Sequence, residues 1–436
     1  MDIPVPRMEK RLQDRYRTLV EQHMDAATTL AAGIHALPDV GETFASTQAA
    51  WRFFRNGKTT LPALVEPLRE MGRQGMTQSS SPYALLVHDW SKMDYDGHTG
   101  KKDQVQLSNS LDQGYELTTA LLVDAATGLP VAPMELSVLA AQGRYTTADV
   151  AVQPKIAHLD QILPVMQASA SWGLGKRLVH VIDREADSVL HMRAWHADGH
   201  WFLVRADDRR VRFRETSCLL SEIVATLQSE GAFRKMHEVA IRGQTGTLFV
   251  AETEIVLDGA AWQRDEKNKS YRVPGEALPL RFVVAQVRDA AGKVIAEWLL
   301  LTNVPGDVGA DMIATWYYWR WQIETFHKVL KSAGMQLEEW QQESASAISK
   351  RLLIACMACV VVWRLERQTT PAAETCKKIL MKLSGRQTKR TRPVTTSGLL
   401  AGLHTLLAIL CVLDQYSVQE IRDIVRAADL PIRLSG

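Results

Sequence analysis

The stretch Arg177-Leu-Val-His-Val-Ile182-Asp183 is a short apolar run that stops on a carboxylate. It reads as a strand that runs into Asp183. What flanks it decides the fold. Upstream, Tyr83-Ala-Leu-Leu-Val-His88 is a second such run, ending at Asp89. Tyr115 to Val123 and Leu129 to Val138 flank Asp124-Ala-Ala-Thr-Gly128, a hairpin signature. A helix-like stretch from about Pro154 to Trp172 leads into Arg177, and a helix (about Arg184 to Trp195) and a strand (Trp201 to Arg205) follow it. Three strands, then strands alternating with helices, predict an α/β fold with a mixed sheet covered by helices.

Outside this region the texture changes. From Arg7 to about Leu68 the pattern is helical, with Leu12, Tyr16, Leu19 and His23 at three- and four-residue spacing among Arg7, Lys10, Arg11, Arg15 and Arg17. The segment Trp51-Arg52-Phe-Phe-Arg55-Asn56 mixes aromatics and cations, which suits either a solvated helix face or a nucleic-acid contact. About Glu215 to Ala296 reads as a mostly β piece, with strands near Leu248–Ile255 and Leu280–Val287 and a charged loop from Gln263 to Ser270. After Glu324 the chain is helical, divided by a basic stretch from Lys377 to Arg392.

The bulk properties narrow the function classes. With 436 residues the chain has room for two to four structural units. A net charge of +2 gives no global attraction to nucleic acid, so any such partner has to be argued from local clusters. Five scattered cysteines do not make a disulfide framework. Cys356 and Cys359 form a C-x-x-C inside the apolar run Leu352 to Trp363, which reads as a buried helix. That run is too short to span a bilayer, Arg351 and Arg364 bound it, and no export signal opens the chain. The expectation is a cytoplasmic protein with no membrane partner.

The segment Tyr317-Tyr-Trp-Arg320-Trp-Gln-Ile-Glu324-Thr-Phe-His-Lys328-Val-Leu-Lys331 carries the chemistry. On an ideal helix Tyr317, Arg320, Glu324, Lys328 and Lys331 share an arc of about 80°, with Trp319, Ile323, Phe326 and Leu330 opposite. Asp89 and Asp183 end neighbouring apolar strands, where side chains converge on one sheet edge. With Glu324 they make an all-oxygen set suited to magnesium or manganese. Two such ions serve in-line attack on a phosphodiester, and Arg320, Lys328 and Lys331 would neutralise phosphate charge. His191, His196 and His200 near Asp183 are too irregularly spaced for a zinc site.

Tyr317-x2-Arg320-x3-Glu324-x6-Lys331 resembles the YREK signature of DDE transposases of the insertion sequence 4 family. Asp183-Arg-Glu-Ala-Asp187 is similar to the DREAD block around that family's second catalytic aspartate, and Leu85 to Tyr95 resembles the block around the first. Trp51 to Asn56 and Glu297-Trp298-Leu-Leu-Leu-Thr302 resemble two further blocks, so the likeness runs in order from about Arg7 to about Arg367.

The resemblance implies a ribonuclease-H-like core, with Asp89, Asp183 and Glu324 as catalytic residues binding two magnesium or manganese ions. It implies cut-and-paste transposition through a DNA hairpin, on double-stranded transposon ends and target DNA, by a homodimer. Tyr317, Arg320, Lys328, Lys331, Arg205, Arg52 and Arg55 are the implied DNA contacts, and Trp298 and Trp321 the rings that stack on a flipped base. The implied division is a helical end-binding domain over 1–70, a catalytic core over 71–214 and 297–345, an inserted β subdomain over 215–296, and a helical, dimer-forming region over 346–436. The alternative reading is a transposase-derived DNA-binding regulator that does not cut. Three departures stand out: Asp207 and Asp208 follow Arg205 where relatives are more basic, Trp90 replaces a small hydroxyl residue, and only six residues precede Arg7.

Overall fold

The computed structural model describes residues 3–25, 40–109, 111–241, 243–264, 269–385 and 394–428. Parts of the charged loop (265–268) and of the basic stretch (386–392) lie outside the described residues. The chain groups into two compact units rather than four. One comprises residues 68–92 and 103–326, the other residues 1–67, 93–102 and 327–436.

The first unit is built on a sheet. Its strands are β1 (Tyr83–Asp94), β2 (Val105–Gln106), β3 (Gln113–Asp124), β4 (Pro130–Ala140), β5 (Gly143–Thr146), β6 (Arg177–Ile182), β7 (Trp201–Arg205), β8 (Arg210–Phe213) and β9 (Thr216–Leu219). They continue with β10 (Arg234–Ile241), β11 (Gln244–Leu257), β12 (Ala261–Arg264), β13 (Ser270–Val273), β14 (Leu278–Arg288) and β15 (Val294–Thr302). Thirteen form one sheet in the order β5-β4-β3-β1-β6-β7-β15-β14-β11-β8-β9, with β2 on β3 and β10 on β11; β12 and β13 pair separately.

The meander β1-β3-β4 closes through the expected hairpin, where Gly128 takes φ +72° and donates its N–H to Asp124 O at 2.8 Å. Strands β6 and β7 then add parallel to β1. Before β6 runs α4 (Ile162–Ser169), which begins later than the spacing predicted, and between β6 and β7 runs α5 (Val189–Ala197). The segment 215–296 is not a separate body. It contains the unpredicted helix α6 (Leu220–Ser229), and β14 pairs antiparallel with β15 across a tight turn at Asp289–Gly292, so its strands extend the central sheet.

The second unit is helical: α1 (Lys10–Asp25), α2 (Val40–Arg55), the first residues of α3 (Leu61–Gln78), α9 (Ala345–Arg367), α10 (Pro371–Leu383), α11 (Thr396–Leu413) and α12 (Val418–Ala427). Its axis is α9, capped by Ser344 and buried almost throughout. Cys356 and Cys359 are free thiols in this core. At 23 residues α9 is longer than the run that suggested it, and by length and composition both α9 and α11 could cross a membrane. Most of α9 is instead packed inside the unit, where Arg351 donates to His23 Nε2 (3.2 Å) and Gln342 Oε1 (2.9 Å) and covers the Trp340 ring. At the far end, Leu410, Val412, Val418 and Ile424 of α11 and α12 stay exposed.

In the sheet unit, α7 (Ala310–Trp319) buries Ala310, Ile313, Ala314, Trp316 and Tyr317, a helical stripe. It is pinned to the β3–β4 turn: Trp316 Nε1 donates to Ala125 O at 3.2 Å, and the Trp319 ring lies where a Gly128 side chain would stand. Gly128→Ala adds a methyl that overlaps Trp319 to the strain of a left-handed backbone, and is expected to cost about 3 kcal/mol in chemical denaturation. Gly97→Ala, at φ +78° with open space around it, should cost only about 1 kcal/mol.

Candidate active site

The parallel register sets His88 opposite Ile182 and Ile182 opposite Val204. The next residue on each strand is Asp89, Asp183 and Arg205, so these three line up across adjacent strands. Asp89 does not end its strand, as the apolar run suggested. β1 continues to Asp94 beside β3, and only its pairing with β6 stops at His88. There β6 gives way to a 3₁₀ turn, Arg184–Ala186, which Asp183 caps by accepting the Glu185 N–H at 2.9 Å. Asp89 likewise accepts the Trp90 N–H at 2.9 Å.

The segment from Tyr317 is not one regular helix. After α7 the Arg320 N–H bonds to Tyr317 O, three residues back, and α8 (Trp321–Lys328) begins. From Val329 to Ala333 the winding widens to π. The ideal wheel therefore does not run through all five polar residues. Arg320 and Glu324 keep their i, i+4 contact, at 2.5 Å. The expected apolar side holds: Ile323, Phe326 and Leu330 are buried and Trp319 half-buried. Lys328 and Lys331 belong to the helical unit, where Lys328 is exposed and Lys331 pairs with Glu338 at 2.9 Å.

Arg320 is the centre of the cluster. Its guanidinium lies 2.5 Å from Glu324 and 3.7 Å from Asp89, and its Nε finds no acceptor among the described residues. Burial works against its charge, but Tyr317, Glu324 and Asp89 outweigh that and raise its pKa. Asp89 is pushed up to about 6, chiefly by burial; Arg320 and the Trp90 N–H oppose the shift, while Asp183 and Glu324 add to it. Burial also raises the Tyr317 phenol, with Asp183 adding to the rise and Arg320 and Arg205 opposing it. Asp89, Asp183, Glu324, Tyr317, Arg320 and Arg205 thus form one electrostatic neighbourhood.

Trp298 is 7% exposed, its ring centroid 5.9 Å from that of Tyr317 and 6.5 Å from that of Tyr318. Trp321 is 47% exposed, beside the Arg320 guanidinium. Arg52 and Arg55 lie in the helical unit on the outer face of α2, whose Ala50, Phe53 and Phe54 are buried. Arg55 covers the exposed Trp51 ring and pairs with Glu343.

Three carboxylates supply the hard oxygen donors that magnesium or manganese prefer, and their mutual repulsion is what a cation relieves. The fit is one of donor chemistry. Among the described residues no three His, Cys, Asp or Glu side chains stand close enough to share one ion. Arg320 holds the compensating charge between Asp89 and Glu324. The three histidines weighed for zinc are engaged separately, His191 with Asp160, His200 with Asp198 and His196 with Asn303.

No protein-family model matches the chain, and no curated protein matches it significantly. One similar solved structure is the synaptic complex of the piggyBac transposase with hairpin DNA. The identity is 9% and the TM-score 0.32, over 99% of this chain and 78% of that one, a likeness too slight to carry an argument.

Several departures acquire structural roles. Trp90 stacks on His158 at 4.7 Å. The Asp207 N–H donates to Asp187, the Asp207 carboxylate faces Arg184 at 3.4 Å, and Asp208 accepts from the N–H and hydroxyl of Ser221. Nothing in the sequence singled out His158, or Arg209 as the partner of Asp187. The Asp187 side chain is 3% exposed and lies 3.1 Å from Arg209 Nε. Arg209→Met leaves that carboxylate buried without its cation, with only the Asp207 N–H as donor, which should cost about 3 kcal/mol by denaturant titration. Combining it with Asp187→Asn should recover part of the loss.

Proposed function

We propose that this protein is a metal-dependent DNA transposase that cuts at transposon ends and joins their 3′-hydroxyls to target DNA. The observation that carries the reading is the parallel register aligning Asp89 with Asp183, with Glu324 tied to Asp89 through Arg320. The order β4-β3-β1-β6-β7, a meander followed by two parallel strands, supports a ribonuclease-H-like core. The five ordered sequence blocks support the insertion sequence 4 family.

In this reading Asp89, Asp183 and Glu324 bind two magnesium or manganese ions, which supply activation of the attacking hydroxyl and charge relief at the leaving oxygen. Arg320 exchanges partners. A DNA phosphate offers its guanidinium, including the unsatisfied Nε, a bidentate acceptor, and Glu324 is released as a ligand. Tyr317 and Arg205 add donors on the same side, and Lys328, Lys331, Arg52 and Arg55 contact the duplex outside the reacting centre. Trp321 offers an open ring to a flipped base, whereas Trp298 receives one only after Tyr317 or Tyr318 swings aside. The exposed apolar faces of α11 and α12 suit a homodimer that pairs two ends.

The test is cleavage of supercoiled plasmid carrying the element's ends, with magnesium. End-specific nicks and hairpins are expected, lost with a chelator and in Asp183→Ala and Glu324→Ala. Cutting that ignores end sequence identifies a general nuclease, and end binding without cutting identifies the regulator. Arg320→Ala separates the two roles of the guanidinium. Without DNA it should bind manganese about tenfold or more tightly than wild type by electron paramagnetic resonance, because the carboxylates lose their internal cation, while cleavage falls.

A further inference from the structure

Each aspartate is fixed by one backbone N–H. Trp90 supplies it for Asp89 and Glu185 for Asp183, both at 2.9 Å. The side chains of those same two donors meet at His158, in the loop before α4. The Trp90 ring lies face to face with the imidazole, centroids 4.7 Å apart and planes 11° apart. His158 Nδ1 contacts the Glu185 carboxylate, and Nε2 lies 2.7 Å from Glu116 Oε1 on β3. With a carboxylate on either side, both ring nitrogens act as donors, which only the imidazolium can do. The bond to Glu116 holds its pKa up at about 9 against burial, with help from Glu185.

We propose that His158 is a positioning residue, a clamp that holds the stretch of β1 carrying Asp89 in register with the turn carrying Asp183. As a statement about a metal site, this rests on the reading of those aspartates as ligands. The clamp needs a flat face for Trp90, a positive charge and two donors pointing apart. Arginine can supply all three, since a guanidinium stacks on indole and donates from both edges. Glutamine is of similar size but lacks the charge and the ring. The bonds on either side of His158 span β1, β3 and the turn after β6, so its loss loosens the two aspartates relative to each other rather than unfolding one strand.

The test is hydrogen–deuterium exchange of the full chain. In His158→Gln, the Trp90 and Glu185 amides should exchange about tenfold or more faster than in wild type, with β11 and β14 unchanged and with protection restored in His158→Arg. Unchanged exchange at either amide overturns the clamp, as does an equal rise across the whole sheet, which marks general destabilisation. Manganese affinity, read by electron paramagnetic resonance, separates the clamp from the reading beneath it. His158→Gln should weaken binding about tenfold, and Asp183→Ala should abolish it. If wild type binds no manganese, or Asp183→Ala binds as wild type does, the ligand reading fails and the exchange data alone decide the clamp.

Discussion

Parallel pairing of β1, β6 and β7 is the constraint on which the site depends. Because side chains alternate across a strand, a shift of one residue in either pairing would turn Asp89, Asp183 or Arg205 to the other face. The register is held by apolar side chains buried on both faces, Leu85, Leu86, Val87, Val179, Val181, Ile182, Leu203 and Val204 among them. The chemistry of the edge is thus a by-product of hydrophobic packing several residues away. Helix α7 is fixed independently, by its apolar stripe and by Trp316 and Trp319 against the β3–β4 turn. Two rigid bodies, a sheet edge and a helix, meet at Arg320.

Arg320 resolves an electrostatic difficulty. Three carboxylates in a partly desolvated neighbourhood destabilise one another, and burial alone already favours the protonated form of Asp89. A buried guanidinium is costly by itself and becomes tolerable because the carboxylates surround it. The arrangement places a buried guanidinium between two partly buried carboxylates, so an incoming cation or phosphate has an internal partner to displace.

Strands β1, β3, β4, β6 and β7 were legible in the sequence as short apolar runs, and the Asp124–Gly128 hairpin carries its own turn chemistry, whereas β8 to β10, β12 and β13 are too polar to announce themselves. Boundaries were not legible. β1 runs past Asp89 because β3 continues beside it, which no local pattern announces. The Arg320–Glu324 contact could be read from spacing, whereas the tight joint at Arg320 and the π turn after Lys328 could not. His158 was invisible for a simpler reason: its carboxylate partners lie 42 and 27 residues away, and one histidine in a loop carries no pattern. Composition identified the 215–296 segment as β-rich but is blind to which strands it joins.

Because β14 covers one side of β15, excising residues 215–296 would leave what remains of that strand, Glu297–Thr302, with its backbone N–H and C=O groups open along that side. Unprotected edges of this kind recruit other strands and lead to aggregation. The segment is therefore a seal on the sheet that carries Trp298, and a shortened protein made by cutting it out would sooner clump than lose one function cleanly.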